Sequence, residues 1–251
     1  MNNPIIVANW KCNPENMRSA LRLIENTENL LNKNKYKYYI AAPDSMIYQL
    51  CEYDIIATIG AQNVDHLEGG AYTGQSRLSQ VVDAGAQFTI LGHSEVRKRG
   101  EKEDDIAKKV GQSVQADLKV ILCVGESERD SKGLYLEEIA RQVRVGISEL
   151  PSDRLNKIVI AYEPVWAIGA AAAATTVESL EAAIVIRREL AAIVGLHNAK
   201  QTQIIYGGSV DEGNAHYFIS EGGMDGLLIG RASLDAEVFA TIINNCYEVN
   251  K

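Results

Sequence analysis

The chain has 251 residues, 46% of them hydrophobic, with a formal net charge of −8 and a pI near 5.1. That content suffices for a large core, and the acidic balance speaks against nucleic acid or an anionic membrane as the main partner while leaving room for a local basic site. No apolar run approaches membrane-spanning length, Met1-Asn2-Asn3-Pro4 has no signal-peptide character, and Cys12, Cys51, Cys123 and Cys246 are scattered without metal spacing, so a soluble cytoplasmic protein with reduced thiols and no metal is expected.

Eight short apolar runs alternate with amphipathic segments. Ile5–Ala8 precedes a helix that Asn13 caps and Pro14 opens, with Met17, Leu21, Ile24, Leu30 and Leu31 near helical spacing. Tyr38–Ala42 leads to a helix near Ser45–Tyr53. Thr58–Gln62 leads through a long polar loop to one near Gln80–Ala84. Phe88–Leu91 is followed by Glu103–Ala116, and Val120–Val124 by Leu134–Glu149. Ile158–Ala161 is β-branched and does not alternate, which suits a strand covered on both faces. Glu163 stands where that strand runs out, and Pro164 keeps the next backbone extended. Val165, Trp166 and Gly169 follow, then Ala170, Ala171, Ala172, Ala173 and Ala174. Thr175-x-x-Glu178 has the spacing of a capping box and predicts a helix near Val177–Val194. Gln203–Tyr206, Asn214–Ser220, Gly226–Ile229 and Ala236–Cys246 complete the alternation. No linker interrupts it, so residues 1–251 are expected to form one (β/α)8 barrel domain; the count of eight favours this over an open doubly wound sheet.

The C-terminal strand ends of such a barrel carry its chemistry. Here they bear Asn9 and Lys11; Pro43-Asp44; Asn63 and the loop Gly69-Gly70-Ala71-Tyr72-Thr73-Gly74; Gly92-His93-Ser94-Glu95; Gly125-Glu126; Glu163; Gly207-Gly208-Ser209; and Gly230-Arg231. Glycine turns after strands seven and eight expose amides at a usual phosphate position, though each alone could be a tight turn. Lys11 is either a surface ion-pair partner, with Glu95 as a plausible mate, or a cation for a phosphate or oxyanion. His93 is either structural or a hydrogen-bond donor to substrate; His66, His197 and His216 lack a comparable setting. A carboxylate, an imidazole, a cation and a phosphate cradle point to proton abstraction beside a carbonyl on a small phosphorylated sugar. No dinucleotide fingerprint or P-loop lysine motif occurs, so no cofactor is expected.

Over its whole length the chain resembles the triosephosphate isomerases. The resemblance rests on Ala8-Asn9-Trp10-Lys11, Ala61-Gln62-Asn63-Val64, Leu91-Gly92-His93-Ser94-Glu95, Cys123-Val124-Gly125-Glu126, Ala161 to Gly169 (AYEPVWAIG) and Tyr206-Gly207-Gly208-Ser209-Val210. It implies a TIM barrel that interconverts dihydroxyacetone phosphate and D-glyceraldehyde 3-phosphate through an enediol(ate), in glycolysis and gluconeogenesis. Glu163 matches the general base, His93 the neutral imidazole that polarises the carbonyl, Lys11 the electrophilic lysine, Asn9 its neighbour at the oxyanion, and Glu95 the carboxylate near the lysine. Gly169, Ser209, Gly230 and the Arg231 amide match phosphate-gripping positions. Pro164, Val165, Trp166 and Ala170–Ala174 match a lid with Tyr206 at its C-terminal hinge. A homodimer is also implied, with Thr73 of the third loop (Val64 to Arg77) approaching the neighbouring site.

Three departures from the family pattern stand out. Ala170–Ala174 replace a threonine, a glycine, a basic residue and small residues, keeping the final alanine. Alanine lacks glycine's backbone freedom and favours helix, so slower turnover with intact chemistry residues is expected. Arg231 stands where a second glycine is usual, and a positive φ there would cost an arginine. Val96 replaces an arginine, which would weaken a structural ion pair. The rival readings are a catalytically weak phosphate-ligand-binding dimer with a crippled lid, and a Schiff-base aldolase. The aldolase would need a lysine at the barrel mouth on a middle strand, and Lys119 begins strand five, at the wrong end.

Overall fold

A computed structural model describes residues 3–32, 36–67, 69–169 and 173–249. The strands are β1 (Ile5–Asn9), β2 (Tyr39–Ala42), β3 (Thr58–Ala61), β4 (Phe88–Leu91), β5 (Lys119–Val124), β6 (Ile158–Tyr162), β7 (Gln203–Tyr206) and β8 (Gly226–Ile229). They pair in parallel in sequence order, and β8 closes onto β1 through Ile5↔Gly226 and Val7↔Leu228. The chain is therefore the expected (β/α)8 barrel.

Strand alternation splits the core in two. Ile5, Val7, Phe88, Ile90, Ile121, Cys123, Val159, Ala161, Ile205 and Leu228 pack together inside the barrel, while Ile6, Ala8, Leu122, Ile160 and Ile204 face the surrounding helices. Carried two residues beyond the inward set, the same parity reaches Asn9, Gly125, Glu163, Gly207 and Gly230. With Gly92, two residues past the inward Ile90, the layer above the packed interior holds two polar side chains and four glycines, which leaves open space at the C-terminal face.

The helices are α1 (Met17–Asn29), α2 (Asp44–Cys51), α3 (Leu78–Asp83), α4 (Ser94–Arg97), α5 (Glu103–Gln115), α6 (Leu134–Gly146), α7 (Thr176–Gln201, broken at Gly195 with φ 80°), α8 (Ala215–Ser220) and α9 (Ala236–Val249). The capping box at α7 forms as the spacing predicts: Thr175 Oγ1 accepts from Glu178 N at 3.2 Å, and Glu178 Oε2 accepts from Thr175 N at 2.7 Å. The start of α1 is corrected. Asn13 donates its side-chain amide to Trp10 O and is joined to Pro14 by a cis peptide. The cap is Asn16, whose Oδ1 accepts from Ser19 N at 3.0 Å and satisfies an amide of the first turn. Short α4, immediately after His93, was not among the predicted helices.

Candidate active site

Glu163 is 2% exposed, and both carboxylate oxygens are occupied. Oε2 accepts from the Ser94 amide at 2.9 Å and Oε1 lies 3.1 Å from His93 Nε2. The imidazole's direction follows from α4. His93 caps that helix, and its Nδ1 accepts from the Glu95 amide at 3.2 Å. An accepting Nδ1 carries no hydrogen, so Nε2 does, and that nitrogen stands beside the Glu163 carboxylate. Glycine makes this approach possible. A Cβ at Gly207 would stand 3.1 Å from Glu163 Cγ, and one at Gly125 would stand 1.8 Å from Glu163 O. Cys123 lies in the same buried layer; burial first, then the Glu163 carboxylate, pushes its thiol pKa well up, so it stays protonated.

Lys11 occupies the left-handed region, φ 53°. Asn9 Oδ1 accepts from its amide at 3.1 Å, and Gln62 Nε2 donates to its carbonyl at 2.7 Å, so two side chains hold this backbone in place. Lys11 Nζ bonds Glu95 Oε1 at 2.5 Å. Burial alone would raise the Glu95 pKa, but the Lys11 hydrogen bond and charge, with His93 and Arg99 behind them, hold it below the ordinary carboxylate value. Gly230 lies under the lysine stem; a Cβ there would be 3.6 Å from Lys11 Cε. Arg231 opens a 3-10 turn (Arg231–Leu234) and is exposed. Among the described residues, Lys11 and Asp117 are the non-glycines with positive φ, so Arg231 carries no such strain. Val96 is half-buried; its neighbour Arg97 pairs with Glu103 at 2.6 Å.

Beyond Glu163 the chain turns through a 3-10 segment at Val165–Ala167. Trp166 Nε1 donates to Glu126 Oε1 at 2.9 Å, and the same oxygen accepts from Tyr162 Oη and Arg129 Nε. Ser209 Oγ donates to Ala167 O at 2.9 Å, and Gly169 has φ 70°. At the far end, Ala174 N donates to Tyr206 Oη at 3.2 Å, and the Tyr206 ring stacks on Phe218. A Cβ at Gly208 would meet that hydroxyl at 2.2 Å. Ala173 packs half-buried against the core. Ala170, Ala171 and Ala172 lie outside the described residues.

A cavity of about 680 Å³ opens on the other side, lined among others by Asn9, Lys11, His93, Glu95, His66 and Lys109. The third loop rises beside it, closed at its base by Asp65 N bonding Ser76 O, with Thr73 exposed near its tip. Glu163 and His93 therefore come together, as do Lys11, Asn9, Glu95 and Gly230. Ser209 bonds the segment that follows Glu163, and Thr73 stands apart from the cluster within this chain. Sequence reading gave no role to Gln62, Arg97, Arg129 or Gln142. Gln62, Arg97 and Gln142 act through backbone groups of the site, and Arg129 chiefly through the Glu126 and Glu181 carboxylates and the Tyr162 hydroxyl; these residue types carry no chemical signature, and Gln62 was visible only as part of a motif.

A family model described as triosephosphate isomerase matches residues 4–246. The triosephosphate isomerase of Alkaliphilus oremlandii is 34% identical over 250 residues, 97% of this chain and 100% of the relative. That of Treponema denticola is 39% identical over 241 residues, covering 94% and 96% of the two chains. That of Candida albicans is 44% identical over 189 residues, covering 74% and 75%.

Proposed function

Because the chain belongs to the triosephosphate isomerase family, we propose that it interconverts dihydroxyacetone phosphate and D-glyceraldehyde 3-phosphate, the glycolytic and gluconeogenic step. The observation that carries this reading is a buried carboxylate and an Nε2-protonated imidazole 3.1 Å apart at the C-terminal face of the barrel. Glu163 takes a proton from the carbon beside the substrate carbonyl, the enediolate forms, and the same carboxyl returns the proton to the neighbouring carbon. The Ser94 amide holds Oε2 and His93 lies against Oε1, so the carboxylate leaves one of these neighbours to reach a carbon. His93 Nε2–H then faces the carbonyl oxygen and stabilises the charge that develops on it, with Lys11 and Asn9 on its other side. No cofactor enters this scheme.

Gly169, Ser209, Gly230 and the Arg231 amide are assigned to the phosphate. The Ser209 bond to Ala167 O supports this, since it joins the phosphate turn to the start of the lid. Trp166 and the Tyr206–Ala174 contact are assigned to the two hinges. Ala170–Ala174 carry the expectation of slower turnover. The 1–251 chain is read as one domain that works as a cytoplasmic homodimer, Thr73 reaching the neighbouring site, with neither nucleic acid nor membrane as partner. The exposed third loop beside an open cavity supports that assembly; no helix among the described residues is long and apolar enough to cross a membrane.

Coupled-assay turnover of glyceraldehyde 3-phosphate, beside the affinity of 2-phosphoglycolate, tests the assignment. Turnover with tight binding of the mimic is expected. Binding with turnover lower by orders of magnitude would place a defect in the lid. A folded protein with neither would refute the site.

A further inference from the structure

The β4–β5 edge of the barrel is unfinished at the top. Leu91 pairs with Leu122, and then Gly92 turns the chain away with φ 68°. β5 continues beside β6, from Cys123↔Ala161 to Val124↔Tyr162. In a parallel ladder one residue directs its N–H and C=O to one neighbour and the next residue to the other. Val124 O and Glu126 O face β6, where they accept from Glu163 N at 2.8 Å and Val165 N at 3.0 Å. Cys123 and Gly125 face the side that β4 has left.

Two side chains stand in for the absent strand. Arg97 Nη2 donates to Cys123 O at 3.0 Å. Gln142, 3% exposed on α6, brackets Gly125: its Oε1 accepts from Gly125 N at 2.8 Å and its Nε2 donates to Gly125 O at 3.1 Å. A primary amide is the side chain that offers a donor and an acceptor side by side, as a strand residue does. The Gly125 peptide held this way is the surface on which Glu163 rests, since a Cβ on Gly125 would come within 1.8 Å of Glu163 O.

We propose that Gln142 is a positioning residue for Glu163: it replaces the missing β4 partner of Gly125 and so fixes the peptide against which the base is seated. This rests on the isomerase reading above. The residue touches no substrate; it acts through one glycine on the placement of a carboxylate, where an ångström matters.

Gln142→Met keeps length and burial and removes both hydrogen bonds to Gly125, together with the longer one from Nε2 to Glu138 Oε1 at 3.3 Å. Ile139→Ala, a fully buried residue earlier on the same helix, serves as the stability control. Turnover, KM, inhibition by inorganic phosphate and melting temperature are measured for both and for the parent chain. The expected result for Q142M is a kcat lower by about 10- to 100-fold, as for a misplaced catalytic group. Its KM and its affinity for inorganic phosphate should stay within about twofold, because the loss falls on a transition-state interaction. I139A should melt lower with kcat within about twofold. A Q142M kcat close to the parent's overturns the proposal, and so do kcat losses that simply track melting temperature in both variants. If Q142M does not fold, Gln142→Asn, one methylene too short to reach both groups, is read by the same criteria. A parent chain without turnover refutes the isomerase reading and this inference with it; a fully active parent beside a fully active Q142M refutes the inference alone.

Discussion

Glu163 and Glu95 flank the same histidine, yet one is 2% exposed and the other has 48% of its side chain in solvent. The contrast extends to the walls they belong to. On the β5–β6 side, Glu163, Glu126, Tyr162 and Gln142 are buried, and backbone and side chains lock together through glycines that admit no Cβ. On the β1–β4 side, Lys11 and Glu95 face an open cavity, and a left-handed lysine is held by Asn9 and Gln62. The base proposed at Glu163 needs the first setting, because a dry site strengthens each charge interaction. The cation proposed at Lys11 to meet a charged ligand needs the second, where approach is open. The buried wall should therefore answer mutation with large losses of rate or fold, and the open wall with small, solvent-screened ones.

The largest effect is expected at the buried carboxyl itself. Glu163→Gln preserves shape and removes the proposed base, so kcat should fall by about 10³, within the usual span for a proton-transfer group. KM and melting temperature should hardly move; a variant retaining a tenth of the parent rate would move the base elsewhere. Next comes Gly125→Ala. Its Cβ would lie 1.8 Å from Glu163 O, so the end of β6 must shift. Overpacking of this kind costs about 3 kcal/mol, or roughly 6–12 °C of melting temperature in a chain this long. An alanine variant that melts with the parent would mean that β5 and β6 can part freely here, and would weaken the contrast between the walls.

How far the sequence carried differs between the same two walls. Glu163, His93, Lys11 and Glu95 were legible because their chemistry is rare at strand ends and their motifs are specific. The barrel was legible from eight short apolar runs alternating with amphipathic segments, and the α7 cap from the Thr175-x-x-Glu178 spacing. Gln142 and Arg97 were not, since their task is to satisfy backbone groups left over when β4 ends early, and strand lengths are invisible at that accuracy in a sequence. The start of α1 was misread because Asn13-Pro14 has the composition of a helix entry, whereas the carboxamide that reaches a first-turn amide is three residues on, at Asn16. The inward parity that puts Gly125, Glu163, Gly207 and Gly230 in one layer was latent in the alternation, but it needs the register to be read.

The two smaller effects sharpen the comparison. Trp166→Phe keeps an aromatic ring, though smaller than the indole, and loses the donor to Glu126 Oε1. Tyr162 and Arg129 still serve that oxygen, so the cost should be about 1 kcal/mol, near the net worth of one hydrogen bond. A few degrees of melting temperature, with a measurable change in kcat, is the expected outcome; no change in either would detach the lid from the buried wall.

The smallest effect belongs to the open wall, and its pH dependence reveals the sign. The folded Glu95 carboxyl is held below its ordinary value near 4.5. A depressed acid stabilises the fold above the unfolded value and loses that contribution as pH falls through the folded one. The parent chain should therefore melt slightly above Glu95→Gln from neutral pH down to about 5, and the gap should close as the solution is acidified below the ordinary value. For a pair this exposed the gap at neutral pH is less than about 1 kcal/mol, and added salt should shrink it further. A large, salt-insensitive gap would mean that Lys11 and Glu95 are as dry as Glu163. The division between a buried wall that seats the base and an open wall that receives charge would then be wrong.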